Sequence, residues 1–394
     1  VPAFIARIAQ DNVRGAAREI LTANPLGGMC SRVCPTEQLC EQACVRNTQE
    51  DKPVEIGALQ RYATDAFMAS GGAPLFQRAA ATGRKVAVVG AGPAGLTCAH
   101  QLALQGHEVV LFDARPKLGG LNEYGLASYK TPGDFAQKEI DWLLSVGGIT
   151  PRNNQRLGRD FTLDSLLAEH DAVFLGLGLA GVNALGAAEP QAEGLRNAVD
   201  FIADIRQAAD KSMVPVGRRV VVIGGGMTAV DASVQARLLG ADEVTMFYRR
   251  GKDALSASWV EQEWAQTHGV NLRLWAAPQE ILVQDGKVCG VRMACTRMEG
   301  DRLQVTQEVF DVPADMVLKA IGQTYVATPA GAAIALRDGR IDTDDEGRTS
   351  VPRVWAGGDC RAGGQDLTVQ AVEHGKVAAR AMHQALTSAV AAGV

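Results

Sequence analysis

A short apolar run that ends in glycines at a fixed spacing constrains this chain more than any other feature. Residues 85–89 read Lys-Val-Ala-Val-Val, the composition of a strand buried in a parallel sheet. They pass directly into Gly90-x-Gly92-x-x-Gly95, with Pro93 and Ala94 inside the turn, and residues 96–104 read as a helix. The first glycine permits a tight turn. The second lets backbone approach a pyrophosphate, and the third lets helix and strand pack closely. Free N–H groups at the helix start add positive potential for phosphates. A second strand over 108–112 ends at Asp113, about 20 residues past the turn, where a carboxylate accepts hydrogen bonds from ribose hydroxyls. A glycine turn alone says little. Strand, turn, helix, strand and acid in that order predict a dinucleotide site.

The pattern returns. Residues 219–223 read as a strand, Gly224, Gly225 and Gly226 with Met227 and Thr228 as the turn, and 230–239 as the helix. Ala229 replaces the third glycine, which the motif tolerates. The next strand, 243–248, ends in Arg249 and Arg250 instead of an acid. An acid repels a 2′-phosphate, whereas paired arginines bind one bidentately. The first site therefore suits a ribose with free hydroxyls and the second suits NADP.

Around these lie further expected elements. Residues 1–68 carry helical spacing interrupted by the cysteine segment, and 70–74 form a linker by composition. Residues 135–146 read as a helix and 171–175 as a strand. Antiparallel strands are expected at 272–275, 280–284 and 290–297, and a strand over 315–320 is read as the return to the first domain. Residues 354–359 end in Gly357, Gly358 and Asp359, and 369–386 make a closing helix. The fold class is α/β: two Rossmann-like dinucleotide-binding domains, the second inserted in the first, preceded by an α-helical segment. The expected boundaries are 1–74 for the helical segment and 191–318 for the insert. The first fold would take 75–190 before the insert and 319–394 after it.

With 394 residues, 47% hydrophobic and 21% charged, the chain has length for two or three domains. A net charge of −5 supplies no overall basic field for nucleic acid. No apolar run spans a bilayer and no signal-peptide pattern opens the chain, so the cytoplasm is the default expectation. Of eight cysteines, Cys30, Cys34, Cys40 and Cys44 cluster, which suggests metal ligation rather than a disulfide framework. By themselves they allow an all-thiolate zinc or iron–sulfur site, and Pro35 after Cys34 leans toward iron–sulfur. The chain opens on Val1 rather than Met, and a longer native protein is expected.

The whole pattern resembles the flavoproteins with two dinucleotide folds, in which the first holds FAD and the second NAD(P)H. Gly90, Gly92, Gly95 and Asp113 match the FAD motif, and Gly357, Gly358 and Asp359 the late motif whose acid holds the ribityl chain. The segment from Asn24 through Cys34-Pro35, Cys40 and Cys44, with Ile56, Gly57, Gln60, Arg61 and Tyr62, closely resembles dihydropyrimidine dehydrogenase. The glutamate synthase small subunit is a more distant relative, with a shorter spacing between its second and third cysteines. The resemblance implies that Cys34, Cys40 and Gln60 complete one [4Fe-4S] cluster with an upstream cysteine, and Cys44 another with three. Cys30 would be a bystander. It also implies flavin-pocket roles for Gly120, Leu121, Lys130 and Leu157, although Lys130 stands where the family has arginine. Thr368 and Val369 would face the flavin pyrimidine ring, and Ala320 and Gly322 would border the nicotinamide.

The expected chemistry is hydride transfer from NADPH (or NADH) to FAD, which needs orientation rather than a general base. No Cys-x-x-Cys lies near the flavin motifs, which speaks against a thioredoxin-reductase-type dithiol. Electrons would leave through [4Fe-4S] clusters to an FMN-containing catalytic subunit, a dihydroorotate-dehydrogenase-like barrel that reduces uracil or thymine. The alternatives are an electron donor of glutamate synthase or a ferredoxin–NADP transhydrogenase, and a non-catalytic redox sensor. No nucleic acid or membrane partner is expected.

Overall fold

The computed structural model describes residues 1–50, 54–71, 74–327 and 333–391. Gly72 and Ala73 of the expected linker lie outside them. The chain opens with helices α1 (Pro2–Ala9), α2 (Val13–Ala23), α3 (Gly27–Val33) and α4 (Ile56–Ala69). The first nucleotide fold follows as β1 (Lys85–Val89), α5 (Pro93–Leu104), β2 (Glu108–Phe112), α6 (Leu121–Tyr124), α7 (Phe135–Leu144), β3 (Ile149–Arg152), α8 (Leu163–Glu169) and β4 (Ala172–Leu175). Next come β5 (Gly181–Val182), β6 (Leu195–Asn197), α9 (Ala198–Gln207), β7 (Arg219–Ile223), α10 (Met227–Leu238), β8 (Glu243–Tyr248), α11 (Trp259–Thr267) and β9 (Val270–Leu274). The long strands β10 (Ala276–Gln284), β11 (Lys287–Glu299) and β12 (Arg302–Pro313) precede β13 (Met316–Lys319) and β14 (Gln323–Thr324). The chain closes with β15 (Leu336–Arg337), β16 (Arg340–Ile341), β17 (Val354–Ala356) and α12 (Thr368–Ala391).

Two compact units result. One comprises Val1–Glu123, Thr131–Ala180 and Tyr325–Val394, and the other Tyr124–Lys130 with Gly181–Thr324. The first unit is built on a parallel sheet in the order β3-β2-β1-β4-β17. Strand alternation divides β1 between two cores. Val86 and Val88 pack with Leu96, Leu102 and the α12 residues Val372 and Met382, while Ala87 and Val89 pack with Phe112, Leu175 and Val354 on the other face. Both faces are covered, which is why the run is apolar throughout rather than alternating. Helices α1, α2 and α4 enclose their own cluster around Phe4, Ile20 and Ile56.

The second unit repeats the plan in the order β6-β13-β7-β8-β9, all parallel. Val220 and Val222 pack against helices α9 and α10, whereas Val221 and Ile223 meet Val291 and Met293 of the antiparallel sheet β10-β11-β12.

Three expectations change here. The strand expected at 272–275 pairs parallel with β8, and the antiparallel sheet takes β12 as its third strand instead. The mostly exposed β12 alternates apolar and polar residues only in two short pieces, 303–305 and 310–312. The run over 315–320 does not return to the first fold, since β13 lies between β6 and β7. Its apolar side chains suit a central position in either parallel sheet, and only strand pairing chooses. Helices α5 and α10 start earlier than the periodicity implied, because Gly92 and Gly226 occupy the caps and the first turns follow at once.

Candidate functional site

In the first fold, Gly90 has φ +96° and a Cβ there would stand 2.2 Å from the Gly176 carbonyl oxygen. A Cβ on Gly95 would stand 1.8 Å from the Gly90 oxygen, so only glycine lets α5 sit this close to β1. Gly92 differs. Its added Cβ would meet nothing nearer than the Gly120 Cα at 3.9 Å. Protein packing leaves that side of the turn open, which is the room a pyrophosphate needs. Gly92 caps α5 without a side-chain hydrogen bond, leaving the first-turn N–H groups of Ala94 and Gly95 available to an anion.

Asp113 is anchored at the end of β2. Its Oδ2 accepts the Ala91 N–H and its Oδ1 the Arg115 N–H, both at 2.8 Å, and burial raises its carboxyl above the usual range. Each oxygen keeps a lone pair for a ribose hydroxyl. Asp359, after Gly357 and Gly358, is pushed up to about 6 by burial and by the neighbouring Asp366. Gly358 donates its N–H to His374 Nδ1 at 3.2 Å. Thr368 Oγ1, at the head of α12, donates to Asn122 Oδ1 at 2.9 Å, next to Leu121. Gly119 N–H donates to the Ala91 carbonyl at 2.8 Å and sets Gly120 against the glycine turn. These features fit FAD. Leu157 lies in the apolar core with Phe112 and Leu163.

Lys130 belongs to the second unit instead. Its ammonium stands 2.7 Å from both Asp231 and Glu261 of that unit. Burial opposes its charge, yet the two carboxylates hold it above the ordinary lysine range. Tyr129 beside it donates to Asp231 Oδ1 at 3.3 Å.

The second fold repeats the anion-binding geometry. Gly226 caps α10 without a side-chain bond, and Met227 and Thr228 form its first turn. Gly224 fits against the Ala320 carbonyl, and Ala320 N–H donates to the Ile223 carbonyl at 2.8 Å. The Gly322 carbonyl accepts the Asn183 N–H at 3.1 Å. Arg249 and Arg250 follow β8 with no carboxylate partner among the described residues. Two such guanidiniums at this strand end suit a 2′-phosphate.

In the N-terminal segment, Cys34 closes α3, and its N–H donates to the Cys30 carbonyl at 3.1 Å. The enclosed Cys30 accepts Asn24 Nδ2 on its sulfur at 3.0 Å. Cys40 and Cys44 pack half-buried against the Phe4 cluster. Gln60 Nε2 donates to the Gly27 carbonyl at 2.6 Å. Among the described residues, no three His, Cys, Asp or Glu side chains converge to hold a metal ion, so these groups do not close a cage by themselves.

Sequence reading missed Glu139. From α7 it reaches the start of α3, where Oε1 accepts the Gly28 N–H at 2.7 Å and Oε2 the Met29 N–H at 3.2 Å. Burial pushes its carboxyl up to about 8. A lone glutamate in an amphipathic helix carries no sign of a partner 111 residues away.

Two nucleotide folds, a glycine-and-acid cradle on each side of an insertion, and a cysteine-bearing helical segment define a class: NAD(P)H-dependent flavin oxidoreductases with an iron–sulfur domain. Residues 84–375 match the pyridine nucleotide-disulphide oxidoreductase family, and the chain belongs to it. Residues 1–72 match the 4Fe-4S cluster domain II of dihydropyrimidine dehydrogenase. FAD, NAD(P)H and 4Fe-4S clusters are the cofactors of these two families. The chain is 35% identical to the glutamate synthase [NADPH] small chain of Escherichia coli over 96% of its own length and 84% of that protein's. It is 33% identical to the NAD-dependent dihydropyrimidine dehydrogenase subunit PreT of the same organism, over 98% and 88%. It spans 61% of the putative oxidoreductase AegA, also of Escherichia coli, at 34% identity. Among solved structures, Mycobacterium tuberculosis FprA in complex with NADPH shares the fold with a TM-score of 0.67 at 19% identity, covering 79% of this chain and 86% of FprA. No described helix is long and apolar enough to cross a membrane.

Proposed function

We propose that this chain is an electron-input subunit that takes hydride from NADPH onto FAD and passes electrons, through [4Fe-4S] clusters in residues 1–74, to an FMN-containing partner that reduces uracil or thymine. The observation that carries this reading is the packing of the cysteine segment on the helix that begins at the flavin cradle: Lys376 Nζ of α12 donates to the Ala23 carbonyl at 2.8 Å, and Leu26 shares a core with Val372. Bound FAD supplies a hydride acceptor that releases electrons singly. The chain's own work is to hold and orient. The α5 N-terminus and the open side of Gly92 receive the pyrophosphate, and Asp113 and Asp359 take the ribose and ribityl hydroxyls. Arg249 and Arg250 select the 2′-phosphate, with Gly224, Gly225, Gly226 and Thr228 around the remaining phosphates. The open placement of Cys34, Cys40, Cys44 and Gln60 is compatible with a segment that supplies only some of the ligands of two clusters.

One relative is named NAD-dependent and another carries NADPH in its name, so the chain's own residues must decide. The arginines at the end of β8 favour NADPH. A second reading, electron donor to a glutamate synthase, is favoured by the 35% identity to that small chain. Assaying the co-purified native complex with uracil, and with 2-oxoglutarate plus glutamine, separates the two. Activity with uracil alone is expected, and activity with the second pair alone would overturn the pyrimidine assignment. A flavin that stays oxidised with both NADPH and NADH would instead mark a redox sensor.

A further inference from the structure

The loop after β8 has an aromatic neighbour that takes none of the roles above. Trp275 joins β9 to β10 at φ +60°, a backbone region where a bulky residue is a genuine outlier. Both of its peptide groups are held, the N–H by the Arg250 carbonyl at 3.4 Å and the carbonyl by the Thr296 N–H at 2.8 Å. Thr296 Oγ1 also donates to the Arg249 carbonyl at 2.8 Å, so one small network ties the indole's backbone to both arginines. The indole lies on Gly251 so closely that a Cβ there would stand 2.7 Å from its Cζ2. Even so, 39% of Trp275 is exposed, and it belongs to neither apolar cluster of the second unit. Core packing therefore does not explain why a tryptophan is kept in this backbone conformation. Strain held by its surroundings points to a ligand.

We propose that Trp275 is the purine platform of the second nucleotide fold: its uncovered indole surface stacks on the adenine ring whose ribose 2′-phosphate is bound by Arg249 and Arg250. Aromatic side chains stack on any base, because every base has a π-face. This inference rests on the NADPH reading of that fold, but it divides the labour in a way that separates the two. Adenine is common to NADPH and NADH, so Trp275 serves both. The arginines serve only the 2′-phosphate.

The test is equilibrium binding of adenosine 2′,5′-bisphosphate and adenosine 5′-monophosphate to the full chain, by calorimetry. Trp275→Ala and Trp275→Gly are expected to weaken both nucleotides by about tenfold, and Trp275→Phe by less than about threefold. Glycine adopts the φ +60° backbone without strain, so the Gly variant removes the indole while leaving the turn at ease. Arg249→Ala is expected to weaken only the bisphosphate. Unchanged binding in Trp275→Gly would overturn the platform. So would a loss confined to the bisphosphate, which would make Trp275 a support for the arginine loop. If the wild type shows no preference for the bisphosphate, the NADPH reading fails while the monophosphate comparison still judges Trp275. No binding of either nucleotide by the wild type would overturn both.

Discussion

At the scale of single residues, the two nucleotide folds rest on contacts that leave no room for a side chain. Gly95→Ala puts a Cβ into the Gly90 carbonyl. It should cost about 3 kcal/mol, as overpacking does, and the purified protein should melt earlier and carry less flavin. Gly92→Ala meets open space in the protein alone. It should leave the melting temperature of flavin-free protein nearly unchanged while lowering flavin content. The contrast separates a packing glycine from a ligand glycine, and measuring both variants checks it. Arg249→Ala combined with Arg250→Ala removes two charge-assisted partners and should weaken NADPH binding by about 100-fold while changing NADH by less than about threefold. These positions were legible in the sequence because a glycine spacing is a local demand of backbone geometry. Glu139 and Trp275 were not, since neither carries a local signal and each owes its place to residues brought near by folding.

Among elements, the interest lies in how α3 is held. This seven-residue helix carries Cys30, and its start is capped by the Glu139 carboxyl group from α7 rather than by its own neighbours. Arg32 strengthens the same junction, lying 3.5 Å over the Phe135 ring and paired with Asp65. Because Glu139 has a folded-state pKa near 8, above the ordinary carboxyl value of 4.5, the native state binds its proton more tightly than the unfolded chain does. Stability from this group is therefore full below about 4.5 and is lost as pH rises through about 8. Thermal unfolding of the wild type should show a falling melting temperature across that window, and Glu139→Gln should flatten the slope. A wild-type profile with no fall between these limits would rule the linkage out. The closing helix α12 is similarly set by approach: Gly375 faces the Ala94 carbonyl, where a Cβ would stand 2.4 Å away, so α12 lies directly on α5. The long apolar period of that helix was readable. The helix it would lie against was not.

For the whole molecule, an oxidoreductase with two nucleotide folds should perform separable half-reactions. Anaerobic mixing with NADPH is expected to bleach the flavin whether or not a partner is present, and reoxidation by a pyrimidine should require the partner. Flavin that fails to bleach with NADPH and with NADH alike would remove the electron-input role altogether. The sequence by itself determined the two strand–turn–helix units, the acid after one and the arginines after the other, and hence the family, because these are short-range patterns imposed by backbone sterics and charge. It also marked the cysteine segment as metal-directed. Only the tertiary structure decided which sheet receives β9 and β13, because an apolar strand satisfies any parallel neighbour and pairing alone selects one. The same holds for Lys130, whose charge is settled by Asp231 and Glu261, residues about 100 positions or more away in the chain. The packing of the cysteine segment on α12 belongs to this class too, as in the bond from Lys376 Nζ to the Ala23 carbonyl, since long-range contacts between polar groups leave no periodic trace in a sequence.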